Sequence, residues 1–143
     1  MKHYVFDSWA LLAWLGGEEP ADAEVQSLLD AATTGRVELW MSIINLGEVY
    51  YATARKSGIE KAREDRRSLL QSPIRFVEVD NDLVWEAAEI KALHALAYAD
   101  AFAAALTVRL KAVLVTGDPE FEVLAKRGVI AVKRLTRMGR RNT

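Results

Sequence analysis

The sequence predicts an α/β fold, a three-layer α/β/α sandwich around a central, mainly parallel five-stranded sheet. Three observations predict it. Short, continuously apolar runs alternate along the chain with segments of helical apolar spacing, the pattern of strands buried on both faces and joined by crossover helices. The 143 residues are 51% apolar and 27% charged, enough for one compact domain with a real core. No repeat, linker or low-complexity segment interrupts the alternation.

Tyr4 to Phe6 reads as a short buried strand, and Ser8 to Leu15 as a helix stopped by Gly16 and Gly17. A second helix starts near Pro20, places Val25, Leu28, Leu29 and Ala32 on one side, and ends at Gly35. Val37 to Met41 is the second strand, after which Ser42 can cap a helix. In that helix Leu46, Val49, Tyr50 and Thr53 share one face, while Asn45, Glu48, Ala52 and Arg55 share another. The charged segment IEKAREDRRSLLQS after Gly58 has little apolar stripe and reads as a solvated outer helix. IRFVEV is the third strand, and Asp80 caps the helix that follows it. In AYADAFAAALTVRL, Ala99, Phe102, Ala103, Leu106 and Leu110 form a core stripe, with Asp100, Ala104, Thr107 and Lys111 on the neighbouring face. AVLVT is the fourth strand, PEFEVLAKR a helix and VIAV the fifth strand. The domain is expected to span residues 1–132, with residues 133–143 a basic C-terminal tail that lacks a core pattern.

Composition removes several kinds of chemistry. The chain has no cysteine, which excludes disulfides, thiolate zinc sites and a cysteine nucleophile. Only His3 and His94 are available for imidazole chemistry. The net charge of −1 carries no global signature of a nucleic-acid binder, so any such contact must rest on a local patch. The N-terminus imitates a signal peptide, but Asp7 breaks its apolar stretch and suits a strand-to-helix boundary. No apolar run approaches membrane-spanning length, and the expectation is a cytoplasmic protein without membrane contact.

Four acids stand at structural edges. Asp7 ends the first strand, Asp118 follows the fourth, and Glu48 and Asp100 sit in helices otherwise small or apolar. Taken singly, each has an ordinary reading: Asp7 and Asp118 as caps, Glu48 as a solvated helix residue, Asp100 as a first-turn acid. Taken together they point elsewhere. If the first and fourth strands are neighbours, Asp7 and Asp118 emerge at one edge of the sheet, where open α/β folds bind ligands. Clustered carboxylates repel one another unless a cation compensates, and an oxygen-only set fits magnesium or manganese. Such ions polarise phosphoryl oxygens and activate water, the requirement of phosphodiester hydrolysis.

In order and separation, YVFDSWALLAWL, SIINLGEVYYA, AYADAFAAAL and VLVTGDPEF resemble the PIN-domain ribonucleases, and within them the VapC-type toxins of toxin–antitoxin pairs. The resemblance implies a metal-dependent endoribonuclease using Mg2+ or Mn2+. It implies that Asp7, Glu48, Asp100 and Asp118 are the metal-binding and catalytic acids. Ser8 and Thr116 are then supporting hydroxyls, and Asn45 orients Glu48 or a water. The chain departs from the family pattern at Glu120, where many relatives carry aspartate, and the longer side chain is open to a solvent-facing reading. For the tail from Lys133, a disordered end is favoured over a dedicated RNA arm.

The implied partners are an RNA substrate, a VapB-like antitoxin and a second copy of the chain. Trp9, Leu12, Trp14, Leu15, Tyr50 and Tyr51 are the candidate walls of an antitoxin groove, and Trp85, Leu93 and Tyr98 are candidates for a homodimer contact, with core burial the default for any of them. Two alternatives stand beside this reading. One is a magnesium-binding phosphoacceptor receiver with Asp80 as acceptor and Lys133 beyond the fifth strand; the other is a non-catalytic interaction module on the same fold.

Overall fold

The computed structural model describes residues 1–137. Five strands, β1 (Lys2–Phe6), β2 (Val37–Ser42), β3 (Ile74–Val77), β4 (Val113–Thr116) and β5 (Ala131–Arg134), form one sheet in the order β3-β2-β1-β4-β5. Every pairing is parallel. Helices α1 (Ser8–Leu15) and α2 (Ala21–Thr33) connect β1 to β2, and α3 (Ile43–Ser57) and α4 (Ile59–Leu70) connect β2 to β3. The chain then crosses to the far side of β1 through α5 (Asn81–Leu93) and α6 (Tyr98–Leu110), and a 3₁₀ turn (Pro119–Phe121) with α7 (Glu122–Lys126) leads to β5. The order therefore reverses between β1 and β4. A phosphoacceptor receiver uses the order 2-1-3-4-5, with its third strand inside the sheet. Here β3 is an edge strand, and Asp80 caps α5 through a 2.8 Å bond from the Leu83 N–H while pairing with Arg109 on α6. The strand order rules out that alternative.

Alternation along each strand divides the core between two faces. Phe6, Leu39, Met41 and Val115 pack against α1, α2 and α3. Val5 and Leu114 pack against Ala103, Ala104 and Leu106 of α6 and against Phe121 and Leu124. Helix α6 is buried from Asp100 to Thr107, and its alanines let sheet, α5 and α3 approach closely. Fully burying a residue such as Phe6 or Phe121 stabilises the fold by about 1.5–3 kcal/mol. Among the described residues, no single helix is long and apolar enough to cross a membrane.

The charged helix α4 is mostly exposed, as the sequence predicts, and rests on α3 through Ala62, Asp65 and Leu69, with Asp65 accommodated there by Lys61 at 2.8 Å. Two expectations need correction. The fifth strand begins two residues later than expected. Val129 and Gly128 instead close α7, donating to the carbonyls of Leu124 and Ala125 with Gly128 left-handed (φ 74°). The packed body also extends beyond residue 132. Lys133 and Arg134 belong to β5, Leu135 is 4% exposed and donates its N–H to the Thr116 carbonyl, and Thr136 bonds Glu24 of α2. One leucine in a basic run gives no periodicity, so sequence alone hides this strap. The remainder of the expected tail, 138–143, lies outside the described residues.

Gly117 sits immediately beyond β4 against the ring of Trp9: a Cβ there would lie 2.3 Å from Trp9 Cη2. The Gly117→Ala variant must push the indole off the loop, and overpacking of this kind costs about 1–3 kcal/mol. A urea denaturation midpoint below that of the parent, with altered tryptophan emission, is the expected result; an unchanged midpoint would contradict the close contact.

Candidate active site

The reversal of strand order between β1 and β4 opens the sheet's carboxyl edge at the place where α/β folds receive ligands. Phe6 pairs with Val115, so the next residue on each strand, Asp7 and Thr116, stand side by side. Asp7 is 1% exposed. One of its oxygens accepts from the Ala10 N–H at 2.9 Å and caps α1, while the other accepts from the Thr116 hydroxyl. That hydroxyl in turn accepts from the Asp118 N–H at 2.9 Å. A threonine supplies both roles through one oxygen, which locks two acid-bearing segments together. Asp118 caps the 3₁₀ turn through the Glu120 N–H at 2.9 Å. The ordinary and the functional readings of Asp7 and Asp118 are thus both met by the same carboxylates.

The two helical acids approach from α3 and α6. Asp100 lies buried in the first turn of α6. Glu48, half-buried, accepts at 3.0 Å from the Asn45 side-chain amide, which also donates to the Ala99 carbonyl at 3.1 Å. Asn45 therefore orients Glu48 and ties α3 to the start of α6. Its own Oδ1 is buried without a partner among the described residues. Ser8 occupies the first position of α1 beside Asp7, half-buried, and that position is all that supports its expected role.

Glu120 is the residue left open by the sequence. Asp100, Asp118 and Glu120 each offer an oxygen within 4.8 Å of the others. Its place two residues after Asp118 is the one signal in the sequence; the residue is exposed at the 3₁₀ turn, yet its carboxylate still comes within reach of Asp100 on α6.

These acids strain one another electrostatically. Burial pushes Asp7 up to about 8, with the charges of Asp100 and Asp118 adding to the effect and its two hydrogen bonds opposing it. Burial likewise raises Asp100 to about 7, reinforced by Asp118, Glu48 and Glu120. Among the described residues none of the five acids is in an ion pair with Lys, Arg or His. An uncompensated carboxylate cluster plus an orphaned amide oxygen is a donor set suited to a hard divalent cation.

Beside the acids, a cleft of about 1000 Å³ is lined by Thr116 to Pro119 and by the adjoining Arg134 to Arg137, with Glu19, Pro20 and Glu122 completing it. None of the six expected antitoxin residues lines this cleft, although Trp9 packs against Gly117 of its lining. Trp9, Leu12, Trp14 and Leu15 are half-buried against the main core, with Trp14 Nε1 donating to Gln26 at 2.9 Å. Tyr50 is half-buried beneath the Arg66 guanidinium, whereas Tyr51 is 51% exposed with Arg55 over its ring. Core packing accounts for more of α1 than of Tyr51.

No curated protein matches the sequence. Solved structures do share the fold. A DNA-bound VapBC from Salmonella typhimurium aligns with a TM-score of 0.73 at 16% identity, covering 94% of this chain and 98% of that one. VapBC2 from Rickettsia felis, bound to a DNA fragment from its promoter, gives 0.72 at 13% identity over 94% and 99%. VapC20 of Mycobacterium tuberculosis, a sarcin–ricin loop cleaving toxin, gives 0.66 at 18% identity over 84% and 93%. The PIN domain family model matches residues 4–127, a span that begins in β1 and runs through β4 to the end of α7. By that match over most of its length, the chain belongs to the PIN domain family.

Proposed function

We propose that the protein is a metal-dependent endoribonuclease and the toxin of a VapBC-type toxin–antitoxin pair. The observation that carries this reading is the convergence of Asp7, Glu48, Asp100, Asp118 and Glu120 at one sheet edge without a neutralising cation from the described residues. Family membership and the fold shared with VapC proteins support it. Asp7, Glu48, Asp100 and Asp118 would hold Mg2+ or Mn2+, with Glu120 alongside. The bound ion would supply positive charge that polarises a phosphoryl oxygen and makes water more acidic.

The chain's own residues do the positioning. Ala10 N–H and Thr116 fix Asp7, and Asn45 fixes Glu48, so the carboxylates meet the substrate without reorganising. Neither histidine joins them: His3 bonds Trp40, and His94 contacts Arg127. With no cysteine present, a thiolate nucleophile is excluded, and a water acidified by the bound ion would take the place of a side-chain nucleophile. A non-catalytic module would have no need of five mutually repelling acids.

For the antitoxin, the exposed Tyr51 of α3, together with the half-buried Trp9, Leu12, Trp14 and Leu15 of α1 and Tyr50 of α3, would offer apolar surface to an amphipathic helix. A basic side chain beyond that helix would pair with the acids and compete with metal. That several neighbours in fold are toxin–antitoxin complexes supports such a partner. A second copy would dock through α5 and α6, where Trp85, Leu93 and Tyr98 are all exposed despite their apolar character. Sedimentation showing only monomer at micromolar concentration would remove the dimer.

Asp7→Asn keeps size and cap geometry but removes charge, and should lower magnesium-dependent cleavage of total cellular RNA by about 100-fold or more. Equal cleavage by the two purified proteins would sink the assignment. Tyr51→Ala, and Trp14→Ala with some cost in packing, should weaken the product of the neighbouring open reading frame by about tenfold or more, exceeding any loss of cleavage. Co-purification is the assay, and a wild-type protein that never retains that product would be a free-standing nuclease.

A further inference from the structure

We propose that the cleft between the β4 loop and the C-terminal strap holds the RNA strand on one side of the scissile phosphate, with Arg134 and Arg137 as its phosphate and base contacts. The proposal rests on the nuclease reading and extends it to a substrate subsite. Thr116 and Asp118 belong both to the acid site and to the cleft wall, so a strand whose phosphate meets the acids can continue directly into it. A volume of about 1000 Å³ lies at the upper end of what small-ligand sites offer and has room for a nucleotide.

Register fixes the reach. Arg134 pairs with Thr116 across β4 and β5, and Thr116 is the neighbour of Asp7, so Arg134 stands two strands from Asp7, about 10 Å by ordinary strand spacing. Its guanidinium does not hang free. Glu122 accepts from Nε and from one nitrogen of the fork, at 2.7 Å for Nη2, and among the described residues this leaves the Nη1 end free to donate to a phosphate oxygen. The wall itself is rigid, because Leu135 is buried and bonded to Thr116, and Thr136 is held by both carboxylate oxygens of Glu24. Arg137 continues the same wall. Guanidinium planes both pair with phosphates and stack on unpaired bases, which is how single-stranded RNA is gripped where aromatic side chains are absent. The chain's net charge of −1 makes such a placed pair the more informative.

The test is fluorescence anisotropy with a labelled single-stranded RNA, in an Asp7→Asn background with magnesium so that the strand stays whole, titrated across potassium chloride concentrations. Arg137→Ala should raise Kd several-fold and flatten the dependence of log K on log salt by about 0.7, the value of one lost phosphate contact on a single strand. Arg134→Gln should act in the same direction; since it also loosens the strap, its result counts only where the melting temperature is retained. Arg36→Ala removes a charge at the opposite, amino edge of the sheet and should change neither quantity. Parent-like Kd and slope for Arg137→Ala, or an equal loss in Arg36→Ala, would overturn the assignment. So would loss of antitoxin binding with RNA binding intact, which would make the cleft a protein seat. If wild type cuts RNA while the arginine variants bind like their parent, only the cleft falls; if wild type does not cut and the parent does not bind, the nuclease reading falls with it.

Discussion

The adjacency of β1 and β4 is the constraint on which the rest depends. It sets Asp7 beside Thr116 and, through the threonine hydroxyl, fixes the backbone at Asp118. A sheet of the same strands in another order would scatter these groups. The reversal of order at this pair also directs α6 back over the sheet, and the first turn of α6 carries Asp100 to the same edge. Four separate stretches of sequence meet there because of one topological choice.

That meeting opposes stability, and the local bonds show how it is tolerated. Asp7 and Asp118 each cap a helical segment, and a cap contributes about 1 kcal/mol in its own right. The same bonds that stabilise the helix starts hold the carboxylates in fixed positions. Asn45 does the equivalent for Glu48 from within α3, at the cost of an unpaired amide oxygen. Burial and mutual repulsion are what remain uncompensated, and they fall on Asp7 and Asp100. Natural proteins concentrate such violations at functional sites.

Much of this was legible in the sequence. Continuous apolar runs mark β1, β2 and β4, and the boundary residues Asp7, Ser42 and Asp80 cap α1, α3 and α5 as their side chains and positions predict. The acids were identifiable because each interrupts an otherwise small or apolar context. What escaped depends on three-dimensional turns. Glu120 joins Asp100 and Asp118 from a 3₁₀ turn that starts at Pro119, where the sequence suggests a regular helix. The strap at Arg134 to Thr136 is anchored by one buried leucine and two bonds to Glu24, neither of which leaves a periodic trace. The crowding of Trp9 on Gly117 is likewise a long-range contact that neither residue announces.

The central claim is that the acids form a cation site whose empty state is electrostatically strained. Asp7 has a folded-state value near 8 against an ordinary 3.8, so the folded protein retains a proton that the unfolded chain releases. Its contribution is complete below about pH 4 and is lost as pH rises through about 8, with Asp100 following the same sign up to about 7. The melting temperature of the metal-free protein, followed from about pH 5 to about pH 8 with and without manganese in wild type and Asp7→Asn, reads this directly. The account predicts a decline with pH in wild type that is shallower in the variant, and a manganese-induced rise at the upper end that is large in wild type and small in the variant. Identical pH profiles for the two proteins and no response to manganese in either would contradict it.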